Sequence, residues 1–187
     1  MDMDQKRTMR RSPRWWPAIV LAAAVALAPL ASSTASAAGP MVGFGFDARD
    51  ISGFPTGAVA LTGGGAFDLR DGSVHAGGGF SCTRDVEQAF LAGCLKGQGV
   101  RWDSDELLPT TSFKCTGGAG EALKPATTGR DTVVLQADFY RAGDANDESF
   151  SAQMIVSTGD IADDIQGIQN VWVQGVGCGT ATAHFGA

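Results

Sequence analysis

The chain has 187 residues, with 14 basic and 20 acidic side chains and a formal net charge of −6. Beyond residue 37 only 9 basic residues remain, scattered singly among 18 acidic ones, so that this part carries a net charge of −9. Nucleic acids and anionic membrane surfaces are bound by clustered lysines and arginines. The composition therefore argues against both partners and is typical of a protein kept soluble by its acidity.

Residues 1–37 have the layout of a secretory signal peptide. A basic segment precedes an apolar stretch at residues 18–28, and the small-residue motif Ala35-Ser36-Ala37 follows. The apolar stretch is shorter than the roughly 20 residues of a transmembrane helix, so no membrane span is predicted in the mature protein. We predict cleavage after Ala37, general secretion rather than the twin-arginine route, and one extracellular domain at residues 38–187.

The mature chain is predicted to begin with a strand at "VGFGF", residues 42–46, followed by a glycine-rich hairpin. Asp71-Gly72 is a two-residue signal for a type I′ turn, which places Asp68 opposite His75. Alternation of side chains then separates two faces of the hairpin. The predicted core face holds Leu61, Phe67, Leu69, Val74, Ala76, Phe80 and Cys82. The predicted solvent face holds Thr62, Asp68, Arg70, Ser73, His75 and Ser81.

Apolar alternation predicts further strands along the rest of the chain. They are "GQGVRWD" (97–103), "TTSFKC" (110–115), "DTVVLQADFY" (131–140), "SFSAQMIVS" (149–157) and one long final strand, "NVWVQGVGCGTATAHF" (170–185). Residues 116–130 are predicted to be a surface loop, 85–94 a short helix or a disulfide-closed loop, and 158–169 a loop with at most one helical turn. About seven to eight short strands between turn signals predict an all-β fold, a single antiparallel barrel or sandwich.

Four cysteines, an even number, are present in a chain with an export signal, which favours disulfides over free thiols. Zinc is the competing interpretation, but no CxxC spacing occurs and only His75 and His184 are available. No metal site is therefore predicted. Three connectivities are open; we favour Cys82–Cys94, which closes a short loop, with Cys115–Cys178 joining the final strand to the middle of the chain.

Glycines are concentrated at three places in the predicted strands. Two triplets, residues 63–65 and 77–79, lie nearly opposite each other in the hairpin, and Gly175, Gly177 and Gly179 share one side of the final strand. Strand glycines usually mark bends, bulges or close packing, and Phe67 and Phe80 are expected to cover the hairpin patch. The alternative is a slot for a flat or extended ligand. Its candidate residues are Gly64, Gly79, Gly177, Trp102 and Trp172.

One pair of residues, Asp68 and His75, is a candidate for catalysis. A carboxylate beside an imidazole orients the imidazole, as in a catalytic dyad. The alternative is an ordinary cross-strand charged pair, and no serine with an oxyanion hole accompanies it. Carboxylates at 103–106 and 160–164 are a second possibility, because glycosidases use two carboxyl groups across a cleft. Neither glycine triplet matches a phosphate-binding or dinucleotide-binding motif, so no cofactor is predicted.

The segments "AGGGFSC", "GVRWD", "DTVVLQADFYRAGD" and "NVWVQGVGCGTA" together resemble a group of small exported bacterial proteins without an established activity. The resemblance spans most of the mature chain and implies secretion, but no catalytic residue.

The sequence thus favours a secreted, noncatalytic β-domain that binds an unidentified extracellular ligand or protein or serves structurally. One alternative is a small secreted hydrolase that uses Asp68 and His75 or dispersed carboxylates. Another is a secreted enzyme inhibitor that presents the Cys82–Cys94 loop.

Overall fold

A computed structural model of the chain describes residues 41–142 and 149–186. The predicted signal peptide, residues 1–37, lies outside this part. The strands are β1 (Val42–Gly53), β2 (Ala58–Phe67), β3 (Val74–Arg84), β4 (Arg101–Leu107), β5 (Thr110–Phe113), β6 (Lys124–Thr127), β7 (Thr132–Tyr140), β8 (Phe150–Ser157), β9 (Val171–Val173) and β10 (Gly177–Gly186). A single 3-10 turn spans Ala89–Leu91. No helix in the described ranges is long and apolar enough to cross a membrane.

Eight of these strands form a closed antiparallel barrel, in the order β1-β10-β9-β8-β7-β4-β3-β2. The all-β prediction is confirmed, and the choice between barrel and sandwich is settled in favour of the barrel. Pairing of β1 with both β10 and β2 closes the ring, so no edge of the main sheet is left unpaired.

The barrel interior is filled by the inward side chains of its strands, as expected for eight strands. Phe80 and Phe139 meet edge to face with ring centroids 4.9 Å apart. Trp102 is almost fully buried and lies 5.9 Å from the ring of Phe46. The centre of the barrel is therefore a packed core.

A second, smaller core lies between the outer wall of the barrel and the two-stranded sheet β5-β6. Phe113 of this sheet packs 5.5 Å from Trp172 of β9. The Cys115–Cys178 disulfide ties the end of β5 to β10, and Cys82–Cys94 closes the loop after β3. These are the two pairings favoured from sequence.

Two predictions of local structure were wrong. The long final strand is two strands, because the chain turns between Val173 and Gly177, where Gly175 has φ +80°. The predicted surface loop at 116–130 contains β6, whose apolar Ala126 is buried in the smaller core. For residues 85–94, where two alternatives were open, the disulfide-closed loop is confirmed, and it contains the 3-10 turn.

The hairpin register also differs from the prediction. Phe67 pairs with Val74, and His75 faces Ala66. The connection is six residues long because two aspartates end the ladder early. Asp68 accepts the amide of Arg70 at 2.8 Å, and Asp71 accepts the amide of Ser73 at 2.9 Å, which lowers the pKa of the Asp71 carboxyl.

The predicted register is wrong by two residues. Because side chains alternate with a period of two, a shift of two leaves every paired residue on its predicted face. Leu61, Phe67, Val74, Phe80 and Cys82 are buried as predicted. The predicted faces are wrong only within the connection, where no strand pairing imposes the alternation of side chains. Asp68, predicted to face solvent, is 4% exposed, whereas Leu69, predicted to lie in the core, is 44% exposed.

The two ends of the barrel differ. At one end, here called the disulfide end, residues 85–100 fold back over the opening, and Val86 and Leu91 complete the main core. The Gln88 amide donates to the carbonyls of Thr56 and Gly175, at 2.6 and 3.0 Å, and so holds this loop in place. The opposite end, here called the hairpin end, carries the β2–β3 connection and both termini of the described chain.

Candidate functional site

The predicted Asp68–His75 pair does not form. The imidazole Nδ1 of His75 lies 2.7 Å from Oδ1 of Asp105 on the outer wall, and both side chains are more than four-fifths exposed. Asp68 instead lies in the hairpin connection, with its carboxylate 3.6 Å from the guanidinium of Arg70. The dyad on which the hydrolase alternative was based is therefore absent, and His75 takes part in an ordinary cross-strand hydrogen bond.

Two of the three glycines proposed to line a ligand slot, Gly64 and Gly177, are sites of close backbone packing. A Cβ atom at Gly64 would clash with the carbonyl oxygen of Phe44 on the neighbouring strand. A Cβ atom at Gly177 would lie 2.5 Å from the carbonyl oxygen of Cys115 and closer still to that of Ser52. Gly79 is less crowded, with the Thr62 hydroxyl 3.2 Å from a Cβ position. Gly64 and Gly177 therefore serve strand packing.

The aromatic side chain nearest to Gly63 is Trp102 rather than the predicted Phe67 or Phe80. Phe44 and Phe46 of β1 stand opposite Gly65 and Gly63. Trp102 of β4 reaches Gly63 from the other side, where its ring carbon would lie 2.9 Å from a Cβ atom. Sequence reasoning missed this arrangement because it depends on which strands become neighbours of the hairpin.

Both candidate tryptophans are buried. The indole N–H of Trp102 donates to the carbonyl of Thr62 at 3.0 Å inside the barrel. The indole N–H of Trp172 donates to the carbonyl of Lys114 at 2.8 Å beneath the small sheet. With their faces packed and their N–H groups satisfied, neither ring presents a surface for a sugar or another flat ligand.

The dispersed carboxylates have local partners. Asp103 pairs with Arg101 and accepts a hydrogen bond of 3.1 Å from the Tyr140 hydroxyl; burial, and then this carboxylate, raise the pKa of Tyr140. Asp160 accepts the amides of Ala162 and Gln169 at 3.0 and 3.1 Å. Among the described residues no three His, Cys, Asp or Glu side chains are grouped to hold a metal ion.

A cavity of about 350 Å³ opens at the hairpin end of the barrel. Its apolar wall consists of Val42 at the start of β1, Leu69 in the β2–β3 connection and Phe185 near the end of β10. The Phe185 ring stacks on Phe44 at 5.7 Å, which anchors that wall on the main core. Mouths of β-barrels are common ligand sites, and this volume is at the lower end of the usual range.

Gly186 and three charged residues complete the lining of this cavity, which is here called the hairpin-end cavity. Asp68 and Arg70 come from the β2–β3 connection, and Arg130 comes from the segment between β6 and β7. Asp68 is buried, whereas both arginines are exposed. The cavity thus combines an apolar wall with a few convergent polar groups, which is the usual composition of a small-molecule site.

The sequence predictions placed Leu69 and Arg70 in the hairpin, but gave a functional role to neither of them. Only Asp68 had been singled out, for a different role. The others come from four separate stretches of chain that meet because β1 pairs with β10 and with β2. The sole local signal was the polar connection "DLRDGS", residues 68–73, which was interpreted only as a turn.

Comparison of this chain with protein-family models, with curated proteins and with solved structures finds no match in any of the three.

Proposed function

We propose that this protein is a secreted, noncatalytic binding module and that the hairpin-end cavity holds its ligand, a small molecule. The observation that carries the proposal is the cavity itself, an apolar recess at one end of an otherwise filled barrel. Because side chains fill the interior, a ligand of the barrel can bind only at one of its two ends. The disulfide end is closed by its own loop, which leaves the hairpin end.

Secretion is part of the proposal and is supported by residues 1–37 and by the resemblance to small exported bacterial proteins. The two disulfides indicate an oxidising compartment.

The two alternative functions have less support. The hydrolase alternative has lost its dyad, since Asp68 and His75 have different partners. The inhibitor alternative required the Cys82–Cys94 loop to be offered to another enzyme. Val86 and Leu91 of that loop are buried in the core of the barrel, so the loop has a structural role that does not depend on a partner.

The test is native mass spectrometry of the protein purified from culture supernatant, with two variants. Leu69→Glu places a charge in the apolar wall of the cavity. Leu95→Glu is the matched control, because Leu95 is similarly exposed, at 53% against 44%, but lies in the loop of the disulfide end. We expect wild type and L95E to carry a small noncovalent ligand and L69E to lose it.

Equal retention in both variants would place the ligand elsewhere and refute the proposal. So would a wild-type protein that carries no ligand and is not stabilised against heat by any small amphiphile. A ligand that binds only the folded protein must raise its melting temperature.

A further inference from the structure

We propose that the ligand of the hairpin-end cavity is a small apolar molecule with a carboxylate head, held by Arg70 and Arg130. This inference rests on the proposed function and narrows it to one class of ligand. Among the described residues that line the cavity, two are cationic and one is anionic. The local charge is therefore positive, although the chain as a whole has a net charge of −6.

Arg70 is placed at the cavity by Asp68. The buried carboxylate accepts the Arg70 amide at 2.8 Å, and its other oxygen lies 3.6 Å from the guanidinium. This separation is that of an ion pair rather than a short hydrogen bond. A guanidinium carries five N–H donors, so Arg70 can keep its pairing with Asp68 and still donate to a ligand.

Arg130 approaches the cavity from a different part of the chain. The segment that carries it is held on both sides, since Gly129 donates to the Thr132 carbonyl at 2.8 Å and Thr158 donates to the Asp131 carbonyl at 3.0 Å. Within the described ranges the Arg130 side chain has no ion-pair partner. Two guanidinium groups from separate segments suit a carboxylate, whose two oxygens accept their parallel N–H donors.

The rest of the ligand must be apolar because the remaining wall is apolar. Val42 is buried, and Phe185 packs on Phe44 at 5.7 Å and edge to face on Phe67 at 6.4 Å. Leu69 covers the cavity from the hairpin connection. A volume of about 350 Å³ suits a short alkyl or a single-ring body rather than a long lipid chain.

The experiment is isothermal titration calorimetry with octanoate, octan-1-ol and octylamine, which share one alkyl chain and differ in the charge of the head. Arg130→Gln removes one cation from the cavity. Arg84→Gln is the matched control, because Arg84 is also exposed but ends β3 at the disulfide end.

We expect octanoate to bind wild type about tenfold more tightly than octan-1-ol does, as one charge-assisted hydrogen bond would provide. R130Q should lose about that factor for octanoate and leave octan-1-ol unchanged, and R84Q should behave as wild type. Three results would refute the proposal that the ligand has a carboxylate head, while still showing that the cavity binds ligands. They are equal binding of octanoate and octan-1-ol, tighter binding of octylamine than of octanoate, and octanoate binding that R130Q does not weaken. If none of the three compounds binds, this ligand class is wrong, and the retention experiment with L69E and L95E decides the proposed function separately.

Discussion

Glu121 is expected to be the most pH-sensitive stabilising residue of the small sheet. Its carboxylate accepts four hydrogen bonds: from the amides of Cys115 and Thr116 at 2.7 and 2.8 Å, from the Thr116 hydroxyl at 2.6 Å and from Lys124 at 3.1 Å. Burial alone would raise the pKa of Glu121, but these donors outweigh it and lower the pKa to about 2. The group ties the segment after β5 to the start of β6.

The magnitude follows from the difference between this pKa and the ordinary value of 4.5. Since one pKa unit corresponds to about 1.4 kcal/mol, the ionised carboxylate contributes at most about 3 kcal/mol to the free energy of unfolding. The folded-state pKa is the lower one, so this contribution is complete above about pH 4.5 and is lost as the pH falls through about 2.

Glu121→Gln should therefore cost about 3 kcal/mol near neutral pH, because one carboxylate oxygen becomes an NH₂ group that faces other donors. The cost should shrink towards zero near pH 2, where wild type loses the same charge. Urea unfolding of the oxidised protein, followed by tryptophan fluorescence, measures it, since Trp172 lies in the smaller core. Glu87→Gln, at an exposed position, is the control and should change little. A cost of E121Q that is below about 1 kcal/mol, or that does not change with pH, would refute this account.

Two further predictions concern packing and cross-linking. Gly64→Ala should destabilise the barrel by more than about 2 kcal/mol, because the new methyl group meets a strand carbonyl, whereas Gly79→Ala should cost less than about 1 kcal/mol; equal costs in urea unfolding would contradict the close approach of the strands. Replacing both Cys115 and Cys178 by serine should lower the free energy of unfolding by about 4 kcal/mol, and removing the other disulfide by about 3 kcal/mol, since the loops they close span 63 and 12 residues. The reverse order by urea unfolding would show that chain entropy does not govern their contributions.

Strand positions and faces were largely predictable because alternation is a local property of the chain. "DTVVLQADFY" corresponds to β7, and Val133, Leu135, Ala137 and Phe139 are buried as their period of two requires. The final strand was extended through Gln174 to Val176 because apolar composition alone does not reveal a turn. The turn depends on Gly175, which packs against Ala89 of the disulfide end, a contact distant in the sequence.

The β2–β3 hairpin shows which features local sequence signals do not predict. Asp71-Gly72 lies in the connection between the strands, but the predicted two-residue type I′ turn is wrong, since Gly72 has a positive φ and Asp71 does not. The register depended instead on two aspartate side chains that accept backbone amides. The burial of Asp68 could not be anticipated either, since the β1, β10 and Arg130 segments that line one cavity with the connection are distant from it in the sequence. A catalytic interpretation of Asp68 and His75 followed directly from the wrong register.

By itself, the sequence determined the all-β class and the alternating faces, because each depends on residue type and short-range spacing. Only the tertiary structure decided which of the three possible cysteine pairings forms, that the sheet closes into a barrel, that Trp102 reaches Gly63, and where a cavity remains. Val42 and Phe185 lie at opposite ends of the described chain and line one cavity only because β1 pairs with β10. Such pairing depends on the register and curvature of all eight strands together, so no single stretch of the sequence can specify it.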